Sequence, residues 1–255
     1  FDTPGEHTVK FLALDFAGDT SVLTINFIAK PYKKTVDSIP EKSIVSDNRV
    51  LLKWNDHNAY KNDYFSLKTN AGALFDDMCI DVKNDALPDN LNGYSGLITV
   101  GNSLQVAYLN YSLSVKVTEE LNCENEKLCL ARYEKGNPVY SGGQYEAGNV
   151  TIRTRNFGSW FITADTIAPE IKPLNVKVID GNGNGNKRNL RFRIKDDFSG
   201  IAAYNGYLND QWVLFKYDAK NNLLFYEPDK YLPEGECELK LVVEDDRGNE
   251  TVYRT

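Results

Sequence analysis

The sequence predicts an all-β protein built of tandem β-sandwich modules, and three observations predict it. Short runs of alternating apolar and polar residues recur along the chain with Gly, Asn and Asp between them, the pattern of half-buried strands joined by turns. Gly, Asn, Asp and Tyr are plentiful, there is a single Met, and no long stretch carries apolar residues at helical spacing. The third observation is a repeat. Gly235-Glu236-Cys237-Glu238-Leu239-Lys240-Leu241-Val242-Val243-Glu244-Asp245-Asp246-Arg247-Gly248-Asn249 aligns without a gap on Gly5-Glu6-His7-Thr8-Val9-Lys10-Phe11-Leu12-Ala13-Leu14-Asp15-Phe16-Ala17-Gly18-Asp19, with Pro4 and Pro233 ahead of the two blocks. Each block reads as an apolar strand, an Asp-x-x-Gly turn and a return strand, the last hairpin of an immunoglobulin-like (Ig-like) sandwich.

The 255 residues suffice for more than one core. Residues 1–30 read as the closing hairpin of a truncated module and its exit. Pro31 and Pro40 then oppose regular structure in the polar stretch that runs to Ser46. The second module, placed at 31–165, carries strands at Val50–Trp54, Tyr64–Lys68, Met78–Val82, Leu104–Tyr108, Tyr111–Val117, Leu128–Tyr133, Asn149–Thr154 and Ser159–Ala164. Glu119-Glu120 falls in a polar turn after the long fifth strand. Asp165-Thr166-Ile167-Ala168-Pro169 closes the module, because the proline holds Ala168 extended. The third module, 166–255, carries strands at Asn175–Ile179, Leu190–Lys195, Ala203–Leu208, Gln211–Tyr217, Leu223–Tyr226 and Glu238–Glu244, with a last one from Glu250. Asn209-Asp210 has the composition of a two-residue hairpin turn and Asn221-Asn222 of another. A lone hairpin over residues 1–28 would expose Val9, Phe11, Val22 and Ile25 and an open edge, so it is expected to be covered by a neighbouring module, another chain or further residues.

Charge and motifs exclude several functions. The formal charge is −7 with basic residues scattered, which is not a nucleic-acid footprint or a polybasic membrane surface. No apolar run approaches the ~18–20 residues of a membrane span. Only two histidines exist, His7 and His57, and neither has a partner at ligand spacing, whereas a catalytic zinc takes about three protein ligands. There is no Gly-x-Ser-x-Gly elbow and no phosphate loop. No residue is therefore assigned as catalytic, cofactor-binding or metal-binding, and the chain is read as a non-enzyme.

Weaker candidates remain. Asp180-Gly181-Asn182-Gly183-Asn184-Gly185 fits the first six places of a calcium-binding loop, but Arg191 stands where a bidentate Glu belongs, so it reads as a hairpin tip. The pairs Asp76-Asp77, Asp196-Asp197 and Asp245-Asp246 sit at strand ends, where carboxylates bond local N–H groups. Trp212, Tyr204, Tyr207 and Tyr217 lie in one hairpin region and could form a stacking platform for a sugar or peptide, although aromatics in alternating strands are mostly core. Cys123 and Cys129 bracket five residues and could face each other across a hairpin, which leaves bridged and free states open. Cys79 and Cys237 read as small buried residues.

Four segments, in order, resemble the C-terminal region of Bacteroidetes M23-family (lysostaphin/LytM-type) metallopeptidases. They are Gly5–Gly18; Asn70-Ala71-Gly72-Ala73-Leu74-Phe75-Asp76-Asp77; Ser141–Gly148 with Arg155–Trp160 and Asp165–Pro169; and Asp196–Ile201 with Tyr204-Asn205-Gly206, Trp212 and Tyr217–Lys220. The resemblance implies a peptidase domain ahead of β-modules, binding zinc through His-x-x-x-Asp and His-x-His and cleaving peptidoglycan cross-links. Neither element occurs here. On this resemblance the chain would be the non-catalytic part of such an enzyme, in the cell envelope (periplasm or outer surface), with no cofactor of its own and zinc only in the inferred peptidase domain. Its partners would be that upstream domain and the wall or another protein chain. The alternative is a stand-alone surface adhesion or glycan-binding protein built of Ig-like modules.

Overall fold

A computed structural model describes residues 5–29, 44–46, 48–176, 189–229, 232–233 and 235–255. Among these the regular structure is strand, apart from a 3-10 turn at Asn125–Lys127, and no helix is long and apolar enough to cross a membrane. The all-β class read from composition and alternation is what the chain adopts. Two compact units divide it, one holding the first two strands and the other all the rest.

The first unit is the hairpin β1 (Gly5–Leu14) and β2 (Thr20–Ala29), paired from Gly5↔Ala29 to Leu14↔Thr20. Its turn is drawn by Asp15, whose carboxylate accepts the N–H groups of Ala17 and Asp19, both at 2.9 Å.

The second unit begins with a sandwich of twelve strands: β3 (Ile44–Ser46), β4 (Arg49–Leu52), β5 (Asn58–Lys61), β6 (Phe65–Thr69), β7 (Met78–Asp85), β8 (Leu97–Val100), β9 (Val106–Lys116), β10 (Leu128–Glu134), β11 (Asn137–Tyr140), β12 (Gln144–Glu146), β13 (Asn149–Asn156) and β14 (Gly158–Ala164). They form a seven-stranded sheet, β11-β10-β14-β8-β7-β4-β3, and a five-stranded one, β12-β13-β9-β6-β5. The expected strands Leu104–Tyr108 and Tyr111–Val117 are one strand, β9. Ala107 and Tyr111 keep the same inward phase, and β9 spans an irregularity at Leu109-Asn110, where its register against β13 shifts from Tyr111↔Thr154 to Val106↔Asn156. Trp160, Tyr111, Phe157, Leu113 and Ile162 fill the space between the sheets. Tyr111 stacks on Phe157 at 4.8 Å and donates its hydroxyl to the Asn156 carbonyl at 2.7 Å, so the buried phenol has a partner.

A second sandwich follows: β15 (Glu170–Asn175), β16 (Leu190–Lys195), β17 (Ile201–Leu208), β18 (Gln211–Val213), β19 (Lys216–Asp218), β20 (Leu223–Tyr226), β21 (Leu239–Asp245) and β22 (Glu250–Arg254). Its sheets are β15-β16-β20-β19 and β18-β17-β21-β22. In β16 Leu190, Phe192 and Ile194 point inward while Arg191, Arg193 and Lys195 point out, the alternation the sequence displays. Asn209 and Asp210 both have positive φ, 47° and 61°, which closes the β17–β18 hairpin with the twist of its strands. The expected strand Gln211–Tyr217 is two strands in different sheets. Val213 and Phe215 are both buried, and the chain crosses from one sheet to the other between them. The strand expected over Asn175–Ile179 lies partly outside the described residues, and the pairing begins earlier, at Glu170.

Gly206 shows how tightly this second core closes. A Cβ there would lie 2.1 Å from the Phe215 ring. Gly206→Ala must push that ring out of its place beside Phe192 and Tyr226. The expected cost is about 1–3 kcal/mol, read as a lower urea midpoint. A midpoint equal to that of the unmodified chain would contradict this packing.

Candidate functional site

The site with the most converging polar groups is the junction of the two sandwiches, built on the turn between β21 and β22. Asp245 is buried and organises the turn. Its Oδ1 accepts the N–H groups of Arg247 (2.8 Å) and Asn249 (2.9 Å), and its Oδ2 accepts Asn249 Nδ2 (2.7 Å). Gly248, at φ 71°, lets the chain reverse. The turn then presents Arg247 and Asn249 to the first sandwich. Arg247 Nη1 donates to the carbonyls of Leu128 (3.2 Å) and Gly143 (3.0 Å), and Nη2 to Asp246 (2.8 Å). Its guanidinium lies 5.6 Å from the Tyr140 ring centroid. Lys127 Nζ donates to the Arg247 carbonyl at 2.9 Å, and Asn249 Nδ2 to the Asp165 carbonyl at 3.0 Å. Tyr140 donates its hydroxyl to Asp246 and packs edge-on against Phe198. Burial and the bond to Asp246 raise the Tyr140 pKa well above the usual phenol, so it stays a donor at any physiological pH.

Beside the turn the carboxylates of Asp165, Asp196 and Asp245 bring oxygens within 4.8 Å of one another. Asp165 Oδ2 accepts the Ser199 N–H at 3.1 Å, and Asp196 Oδ2 accepts those of Phe198 and Gly200. Among the described residues no lysine or arginine pairs with any of the three. These oxygens are the set that could hold a cation, and the N–H groups already bonded to them are what offsets their charge. A cleft of about 680 Å³ opens alongside, lined by Glu126, Gln144, Tyr145, Glu146 and Arg247.

Of the residues singled out from sequence, Asp196 and Asp245 come together here, and Asp165, which the sequence marks only as a module boundary, joins them. Asp197 pairs with Lys195, and Asp77 accepts the Trp54 N–H at the far end of the first sandwich. The four aromatics separate. Trp212 and Tyr207 are cross-strand neighbours on the outer face of β18-β17-β21-β22, with Asn205 accepting Trp212 Nε1 at 3.2 Å and Lys240 lying over Tyr207. Tyr204 and Tyr217 pack together against the inner core. His7 stacks on Phe27, and His57 lies exposed just ahead of β5. The loop 180–185 lies outside the described residues. All four cysteines are thiols. Cys79, Cys123 and Cys237 are half-buried rather than buried.

Cys129 is buried, and burial pushes its pKa up to about 12. Two outcomes are expected. It resists iodoacetamide in the native chain at pH 8 while half-buried Cys123 is alkylated, read by mass spectrometry of digests. The raised folded pKa stabilises the fold fully below the unfolded thiol pKa of about 8.5, and that contribution is lost as pH rises toward 12. Rapid alkylation of Cys129 in native protein would refute both.

The fold and junction together define a tandem β-sandwich protein with a built interface between its two complete modules. The profile of a family described as Zu5-like domain matches residues 49–165, just under half of the chain and the body of the first sandwich from β4 to the residue after β14. No curated protein matches the chain.

Proposed function

We propose that the chain is a non-catalytic accessory and positioning region of a cell-envelope M23-like zinc metallopeptidase acting on peptidoglycan. The resemblance of its four sequence segments supplies the enzyme class. The observation that carries a positioning role is the junction, where Arg247, Asn249 and Lys127 tie two sandwiches by four direct hydrogen bonds. A linker that merely tethers needs no such fixed orientation. The test is the natural reading frame and its product. It should encode His-x-x-x-Asp and His-x-His upstream, and the full-length enzyme should cleave cross-linked muropeptides that the 255-residue chain leaves intact. Arg247→Ala in that enzyme should slow solubilisation of intact sacculi several-fold without slowing cleavage of a small soluble muropeptide. Equal effects on both substrates, or turnover by the 255-residue chain itself, would defeat the reading.

A second reading, a surface adhesion or glycan-binding protein, is favoured by the exposed Trp212 with its indole held by Asn205 beside Tyr207. On that reading Trp212→Ala removes binding to an oligosaccharide panel while the melting temperature stays within about 2 °C, as expected for an exposed side chain away from buried features. Unchanged glycan binding in that variant would exclude it.

A further inference from the structure

The hairpin β1–β2 reproduces β21–β22 in register, turn and phase, not only in sequence. Phe11 pairs with Leu23 as Leu241 pairs with Tyr253, and Ala13 with Ser21 as Val243 with Thr251. The Asp15 turn makes the four backbone-donated bonds of the Asp245 turn: two N–H groups on the Asp carboxylate, the Gly N–H on the Asp carbonyl, and the Asp N–H on the residue after the Gly; the bond from the Asn249 amide is particular to the second turn. What differs is cover. Leu239, Leu241 and Val243 are 0–3% exposed, packed under Leu190, Phe192 and Leu224 of the opposing sheet. On the equivalent face of the first hairpin Phe11 is 57%, Leu23 59% and Ile25 44% exposed.

We infer that this face of β1–β2 is the docking surface for one occupant: a β-sheet of the β15-β16-β20-β19 kind, with an alternating apolar inner face, carried on the same polypeptide ahead of Gly5. A β17-like strand would pair with β1 along the edge by which β21 pairs with β17. Two strands of ten residues present a face of only about 300 Å², far below the roughly 800 Å² per partner of a stable complex between separate molecules. A second copy of the chain, or a free partner, therefore gains too little from this face alone. A sheet tethered to β1 does not, because its high effective concentration supplements a small contact. The face is made for completion in cis. The inference holds whether or not the parent protein is a peptidase.

Two measurements test it. In the 255-residue chain, Val9–Leu14 and Thr20–Thr24 are grafted in place of Leu239–Glu244 and Glu250–Arg254, keeping the second turn and its junction. The graft should leave the amides of Phe192 and Leu224 protected from hydrogen exchange, whereas a graft shifted by one residue, which turns Lys10 and Leu12 inward, should lose protection ~100-fold or more. A correct-phase graft that exposes those amides, or a shifted graft that protects them equally, overturns the inference. In the second measurement the chain is extended by roughly seventy natural upstream residues, the length that precedes β21 in its own sandwich. The Phe11 and Ala13 amides should gain ~100-fold protection relative to the unextended chain. An extended chain with no gain, protection only at high protein concentration, or a natural frame with no strand-forming segment there, overturns it.

Discussion

Arg247→Ala is expected to separate the unfolding of the two sandwiches while leaving each folded. The guanidinium is largely enclosed, spans two carbonyls of the first sandwich and lies over Tyr140, and its Asp246 partner is on its own turn. Bonds from a charged donor contribute about 1.5–3 kcal/mol each, and truncation removes the donor that the Leu128 and Gly143 carbonyls share, although the cleft beside them lets water replace part of it. A loss of roughly 3 kcal/mol of coupling follows, against a typical total of about 5–15 kcal/mol. Calorimetry should show one transition becoming two, and small-angle scattering a wider distribution of dimensions. Arg247→Lys should recover less than half, because an ammonium cannot bridge both carbonyls in the plane of the fork. A single transition at the unmodified temperature for Arg247→Ala would refute the role assigned to this side chain.

Asp245→Ala is expected to act one step earlier, on the turn that aims Arg247. Three donors lose their acceptor: the N–H groups of Arg247 and Asn249 and the Asn249 amide. Unsatisfied buried donors cost about 1–3 kcal/mol each. Relief of repulsion from Asp165 and Asp196 works in the other direction, but N–H groups bonded to all three carboxylates already offset part of it. The net expectation is a loss of about 2–4 kcal/mol, measured by urea unfolding, with the junction failing first. The same change at Asp15 is the control. The backbone turn is the same, without the side-chain amide bond, and its two N–H groups are open to water, so Asp15→Ala should cost under about 1 kcal/mol. Equal effects at the two positions would show that burial at the junction is not what gives Asp245 its weight.

Much of the fold is legible in local pattern. The inward phase of Leu190, Phe192 and Ile194, the hairpin at Asn209-Asp210 and the paired turns at Asp15 and Asp245 are all set by residues within a few positions of each other. The strands divided wrongly are those where alternation carries no mark of the event. Val213 and Phe215 share one parity whether the chain stays in its sheet or crosses to the other, and Ala107 and Tyr111 share one parity whether β9 is one strand or two. The strands β5, β8, β11 and β12 go unread because three or four residues hold too little periodicity to stand out unless, as in Leu223–Tyr226, the run is apolar throughout.

The sequence by itself determined the all-β class, the alternation that chooses each strand's inner face, and the repeat that makes β1–β2 and β21–β22 the same hairpin. Tertiary structure decided everything that joins distant residues. Asp165 meets Asp245, Arg247 reaches Leu128 and Gly143, and Trp212 parts from Tyr204 and Tyr217 although all lie within one short stretch. The physical reason is one of range. Strand phase and turn geometry follow from neighbouring side chains and backbone sterics, whereas a junction exists only once two closed sandwiches bring their loops together. The first hairpin shows the limit of local information: its register and turn form as in β21–β22, yet Phe11 is exposed where Leu241 is buried, because cover comes from an opposing sheet that local pattern does not encode.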